Sequence, residues 1–255
     1  PAAPPVRMLP GMVRWQDMIA AVRPPVSGIP IGVDEFRLEP TFIDLASIGP
    51  HFLIFGDAEC GKTSLIRAWA RGIERYYPPE EAEFAVIDLR RKLVDLRTSK
   101  QCALYAYNQD TLKQCVDGLR ATLDRRLKES AQVPLERLDD EKKWDGPRFF
   151  IFVDDYDTFP TSANPLTPLN NYLAQARDTG FHLILARSAG GAASSFDPIL
   201  KTLKDMGTPG LVMSGNPTEG VILGNQRAAP FPPGRGYLIR RKYPVTQIQA
   251  ASINQ

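Results

Sequence analysis

The apolar run His51-Phe52-Leu53-Ile54-Phe55 leads straight into Gly56-Asp57-Ala58-Glu59-Cys60-Gly61-Lys62-Thr63, which has the spacing G-x-x-x-x-G-K-T. A buried strand, a glycine-bounded loop and a helix opening at the lysine make up the unit that wraps nucleotide phosphates. The residue types follow from that task. Gly56 and Gly61 let the backbone turn its N–H groups inward, Lys62 reaches the β- and γ-phosphates, and the Thr63 hydroxyl binds Mg²⁺. The expected nucleotide-binding set is therefore Gly56, Asp57, Ala58, Glu59, Cys60, Gly61, Lys62, Thr63 and Ser64, with ATP or GTP as ligand. The carboxylates of Asp57 and Glu59 would repel a polyphosphate and must point away from it. Cys60 reads as a small filler.

The rest of the chain supplies a sheet for this loop. Apolar runs at 29–33 and 42–45, bounded by Pro and Gly, predict antiparallel strands ahead of it. After the helix that starts at residue 62 and stops at Pro78-Pro79, strands are expected at 83–89, 103–107, 149–153 and 181–186. Leu112, Cys115, Val116, Leu119, Leu123 and Leu127 recur at helical spacing, so 111–128 is an amphipathic helix capped by Asp110 or Thr111. Helices are also expected at 169–177 and 199–206, terminal strands at 211–214, 220–223 and 236–240, and a polar irregular stretch at 129–146. Strand and helix alternate through the middle, which predicts an α/β domain with a mostly parallel sheet and helices on both faces. Seven prolines within residues 1–30 mark a linker that docks one or two helical turns on a domain formed by residues 31–255.

A second feature matches the first. Phe149-Phe150-Ile151-Phe152-Val153 ends in Asp154-Asp155, and P-loop proteins hold Mg²⁺ through an acid in that position. Asp154 is the magnesium-side acid, with Thr63 as its companion. Asp155 and Lys62 are the catalytic candidates, but many P-loop ATPases place Glu at the second position to align water. An Asp is one methylene shorter, and a misplacement of about 1 Å can cost on the order of a hundredfold in rate, so hydrolysis should be slow.

Arg187 ends a strand on the expected nucleotide side of the sheet and reads equally as a phosphate contact or as a solvated surface arginine. The runs Arg90-Arg91-Lys92 and Arg240-Arg241-Lys242 read as solvated faces, because neither is interleaved with aromatics. His51 and His182, the chain's two histidines, read as structural. Three cysteines without metal-ligand spacing predict reduced thiols. A formal net charge of +2 gives no field that would attract nucleic acid or an anionic membrane. The absence of a long apolar run and of a signal-peptide pattern predicts a cytoplasmic chain or a cytoplasmic part of something larger.

Together these residues resemble a known family. Gly-Asp-x-x-x-Gly-Lys-Thr, Val86-Ile87-Asp88-Leu89-Arg90-Arg91, Asp124-Arg125-Arg126-Leu127, Trp144-Asp145-Gly146-Pro147-Arg148 and Val153-Asp154-Asp155-Tyr156-Asp157 are similar to the FtsK/SpoIIIE class of P-loop motors. Within that class they resemble the EccC coupling ATPases of type VII secretion. Leu9-Pro10, residues 31–35, Gly180-Phe181-His182, Met213-Ser214-Gly215 and Pro233-Gly234-Arg235-Gly236 extend the likeness over nearly the whole chain. The resemblance implies a RecA-like P-loop fold, ATP and Mg²⁺ as ligands, and a distal module of the EccC string of ATPase domains, the last of them in particular. It also implies association with neighbouring ATPase domains, a possible homo-oligomeric ring, and reception of the C-terminal signal of a WXG100-type export substrate. Membrane contact would come through the rest of the secretion machine. Two departures bear on turnover: Asp155 replaces the class's Glu, and Arg187-Ser188-Ala189 stands where a Thr-Gln-Arg run would carry a γ-phosphate-sensing glutamine. The alternative is a DNA-translocating motor of FtsK type.

Overall fold

The computed structural model describes residues 8–23, 25–132, 144 and 146–253. In chain order the principal strands are β1 (Ile29–Asp34), β2 (Pro40–Ile43), β3 (Phe52–Phe55), β4 (Ala82–Ile87), β5 (Cys102–Ala106), β6 (Arg148–Val153), β7 (Phe181–Arg187), β8 (Gly210–Met213), β9 (Arg235–Arg240) and β10 (Tyr243–Ser252). The principal helices are α1 (Trp15–Ala21), α2 (Lys62–Tyr76), α3 (Gln109–Ser130) and α4 (Pro198–Asp205). The strands lie in the order β2-β1-β10-β9-β8-β3-β7-β6-β4-β5 within an eleven-stranded sheet. Val13–Arg14 is the eleventh strand and pairs parallel with Ala251 and Ser252 of β10. From β8 to β5 every pairing is parallel, whereas β9, β10, β1 and β2 form an antiparallel wing.

All four residues of β3 are buried, as expected of a strand with parallel neighbours and helices on both faces. Its side chains alternate between two cores. Leu53 and Phe55 join Leu112, Val116 and Leu119 of α3 and Ile199 and Leu203 of α4 on one face. Phe52 and Ile54 join Leu65, Ile66, Trp69 and Ile73 of α2 on the other. Phe52 meets the Trp69 ring edge-on at 5.0 Å. The strand is thus clamped from both sides, and the loop that follows it is held at the carboxyl edge of the sheet, where open α/β sheets bind ligands.

The expected α/β class and helices on both faces are present, with four local differences. Helix α3 starts at Gln109 because the Asn108 side chain accepts from the Thr111 amide while Thr111 reaches back, a reciprocal cap that places Thr111 inside the first turn. The helix expected at 169–177 is instead broken into turns at Thr167–Leu169, Asn170–Leu173 and Ala176–Thr179, because Gln175 (φ −101°, ψ 14°) leaves helical geometry. Val221–Leu223 leaves the main sheet to pair with Gln226–Arg227. Strand β10 was not expected at all, although Thr246 and the run Ile248, Gln249, Ala250 and Ala251 are buried.

Near the N-terminus, Val13 and Met18 pack on Val33 and Ala251. Arg235 donates to the Leu9 and Pro10 carbonyls at 3.0 and 2.9 Å. Residues 1–7 and Pro24 of the expected linker lie outside the described residues, as does most of the stretch expected to be irregular at 129–146.

Candidate nucleotide-binding site

The loop between β3 and α2 is shaped by its glycines and by what abuts it. A Cβ at Gly56 would stand 2.4 Å from Cys60 Sγ and 3.0 Å from Met213 Cβ, so a side chain there would force Cys60 to shift. Gly61 has φ +107°, a region L-residues avoid. The antiparallel wing props the loop from outside, the Gly234 amide donating to the Cys60 carbonyl at 2.7 Å. Glu59 is exposed and left-handed, with φ +61°. Asp57 is half-buried, its carboxyl carbon 3.5 Å from where a Cβ on Gly215 would lie. Cys60 is buried and its thiol is pushed up by that burial, which suits a filler.

A cavity of about 510 Å³ opens in front of the loop. Ala58, Glu59, Gly61, Lys62, Thr63 and Ser64 line one side of it, while Gly56, Asp57 and Cys60 of the expected set do not line it. Lys62 is buried, and its ammonium donates to the Gly56 and Asp57 carbonyls, each at 2.7 Å.

Thr63 and Asp154 meet as expected. The Thr63 hydroxyl donates to Asp154 Oδ2 at 2.6 Å. Asp154 is 4% exposed, and its other oxygen, Oδ1, is buried without a partner. Burial pushes this carboxyl above the ordinary carboxylate range, with the Thr63 hydrogen bond pulling the other way. A buried carboxylate oxygen left over beside a hydroxyl fits a hard cation such as Mg²⁺. Among the described residues no group of three or more His, Cys, Asp or Glu side chains could hold a metal unaided. Phosphate oxygens and water would then supply its remaining ligands.

Asp155 is adjacent in sequence but differently employed. It is left-handed, with φ +48°, and its carboxylate is paired with Arg90 at 3.3 Å and Lys92 at 3.2 Å. Arg90 and Lys92 line the same cavity, together with Asp157 and Ser188. Arg90, Arg91 and Lys92 are all exposed, as a solvated face requires, and Arg90 and Lys92 in addition border the cavity and meet Asp155. Nothing local could have shown it, because Asp155 lies 63 residues from Lys92.

Arg187 differs from both of its readings. It is buried, and its guanidinium donates to the Ser188 and Gly190 carbonyls at 3.0 and 2.9 Å, organising its own loop. Asp157 ties that loop to the turn after β6 by accepting from the Ser188 amide at 2.8 Å. His51 and His182 are buried and hydrogen-bonded to the main chain, as structural residues should be. Arg240 lies at the far end of the sheet, over the Tyr243 ring at 4.7 Å.

Comparison with known proteins bears on this geometry. The chain is 42% identical over 254 residues to the ESX secretion system protein EccC of Thermomonospora curvata, a match covering 98% of this chain and 19% of that protein. It is 37% identical over 242 residues to the ESX-4 secretion system protein EccC4 of Mycobacterium tuberculosis, covering 94% and 19%. A solved structure of Thermomonospora curvata EccC (ATPases 2 and 3) in complex with a signal sequence peptide matches with a TM-score of 0.89 and 41% identity, over 100% of this chain and 46% of that one. The chain belongs to the EccC ATPases. No protein-family model matches it. It spans 19% of the length of each of the two EccC relatives. EccC membership agrees with the RecA-like P-loop class of the mostly parallel sheet. Among the described residues of this EccC domain, no helix is long and apolar enough to cross a membrane.

Proposed function

We propose that this domain binds Mg·ATP through residues 56–64, turns it over slowly when isolated, and acts as an ATP-braced module of a type VII secretion coupling ATPase. The observation that carries the reading is the Thr63–Asp154 pair, 2.6 Å long, with Asp154 Oδ1 left without a partner immediately behind the phosphate loop. Lys62 would hold the β- and γ-phosphates, and Thr63 and Asp154 the metal, which when bound neutralises phosphate charge. The amides of the loop and of the first turn of α2 add the positive end of the helix.

Slow turnover follows from Asp155. A carboxylate on a side chain one methylene shorter than Glu is poorly placed to orient a water. Retained ATP then acts as a brace. At about a thousand times its dissociation constant it adds roughly 4 kcal/mol to the folded state.

In the parent polypeptide this module, residues 31–255 with 1–30 as a connecting segment, would sit among neighbouring ATPase domains and join copies of itself in a ring. It would receive a WXG100-type export substrate through its signal. The EccC complex with a signal sequence peptide supports that role for a relative. The function would be exercised in the cytoplasm at the membrane-associated secretion machine, without nucleic acid. The test pairs melting with phosphate release in Mg·ATP. The melting temperature should rise on the order of 10 °C at saturation with negligible release, and Lys62→Ala should abolish the rise. Brisk release, or stimulation by duplex DNA, would overturn the reading.

A further inference from the structure

Two cations in the cavity converge on a single oxygen. Arg90 and Lys92 both reach Oδ2 of Asp155, at 3.3 and 3.2 Å, so the cluster retains one excess positive charge beside the phosphate loop. The other charged groups lining the cavity are Lys62, Glu59 and Asp157. Lys62 is engaged by the Gly56 and Asp57 carbonyls and Asp157 by the Ser188 amide.

The main chain that presents these cations is built for its position. Arg91 is left-handed, with φ +58°, between the two. Asp88, buried at the end of β4, accepts from the Lys92 and Leu93 amides at 3.0 and 2.6 Å. Arg67 of α2 donates to the Lys92 carbonyl and pairs with Asp95 at 3.2 Å. Lys92 is therefore held at both its amide and its carbonyl, in the second case by the helix that begins at the phosphate loop. Arg187, at the end of β7, is spent on the carbonyls of its own loop.

The pairs with Asp155 are exchangeable. The Arg90 and Lys92 side chains are 55% and 46% exposed, and ion pairs between such groups are weak and screened. A terminal phosphate carries more charge than a carboxylate and offers three acceptor oxygens to the same donors. We infer that Arg90 and Lys92 form a terminal-phosphate subsite by which the domain distinguishes a nucleoside triphosphate from a diphosphate, Asp155 holding the two cations until the phosphate takes them. This rests on the nucleotide site proposed above. It makes Asp155 a competitor for the phosphate ligands in addition to a neighbour of the metal-side acid.

Calorimetry with Mg²⁺ and either ADP or the β,γ-imido analogue of ATP tests it in three proteins. The unmodified chain should bind the analogue more tightly than ADP. Arg90→Gln with Lys92→Gln should reduce that preference about tenfold or more, with ADP affinity preserved within about twofold and melting without nucleotide unchanged. Asp155→Asn should raise the preference, because the competing charge is gone and Asn tolerates the left-handed backbone. An unchanged preference in the double variant, or ADP affinity falling in parallel, overturns the inference while leaving nucleotide binding intact. Failure of the unmodified chain to bind either nucleotide overturns both.

Discussion

Asp88 is 1% exposed and accepts three hydrogen bonds, from the Lys92 and Leu93 amides and from the Tyr105 hydroxyl at 2.7 Å. Burial, then the carboxylate itself, pushes the Tyr105 hydroxyl up, so it remains a donor. One acid thus fixes the turn that aims Arg90 and Lys92 at the cavity. Asp88→Ala would strand three donors in a low-dielectric site and should cost about 2–4 kcal/mol, read from urea unfolding. A loss below about 1 kcal/mol would mean that water satisfies those donors. The sequence placed Asp88 at a strand end and did not mark it, because an acid there is common and its partners are set by the turn it makes.

At the scale of elements, α2 transmits packing to the site. It begins at Lys62 and lies on β1, and a Cβ on Gly72 would stand 2.4 Å from Ile29 Cγ2. Replacing a helix-interior glycine with alanine ordinarily gains up to about 1 kcal/mol. Here the contact is with a β-branched methyl that cannot swing aside, and overpacking costs about 1–3 kcal/mol. Gly72→Ala should therefore lower stability, measured as the midpoint of chemical unfolding. A stabilised variant would show that α2 can draw away from β1. The helix itself was readable from its apolar spacing. Strand β10 was not, because its Pro244, its glutamines and its small residues dilute the alternation that its position between β9 and β1 makes meaningful.

Across the whole molecule, two buried histidines couple the sheet to pH. His51 Nδ1 accepts from the Leu183 amide at 3.0 Å, which leaves Nε2 to donate to the Leu173 carbonyl at 3.0 Å. His182 Nδ1 donates to the Pro50 carbonyl at 2.9 Å. Burial lowers His51 from its ordinary 6.5 to about 4 and His182 to about 3. Both rings bind protons less readily folded than unfolded, so unfolding takes protons up. Their stabilisation is complete above the unfolded value near 6.5 and is lost as pH falls through 4 for His51 and towards 3 for His182. By pH 4 the loss should be on the order of 3 kcal/mol for each ring. Unfolding midpoints measured from pH 7.5 down to 4 should fall with that profile, and a flat curve would contradict the neutral, hydrogen-bonded rings.

The alternation of strands and helices determined the class of fold, and residues 51–63 and 149–155 by themselves marked the glycine-bounded loop and the acid that meets Thr63. Each is a contiguous signal, in which strand, turn and helix lie within a few residues and the chemistry dictates their types. Only the tertiary structure decided that Asp155 is held by Arg90 and Lys92, that Arg187 turns back on its own loop, and that Gly234 braces Cys60. The Asp155 and Gly234 contacts join segments far apart in the chain, and Arg187 turns inward only because the end of β7 is buried. They depend on β6 lying beside β4 and on the C-terminal wing folding back beside β8, so short-range periodicity carries no trace of them.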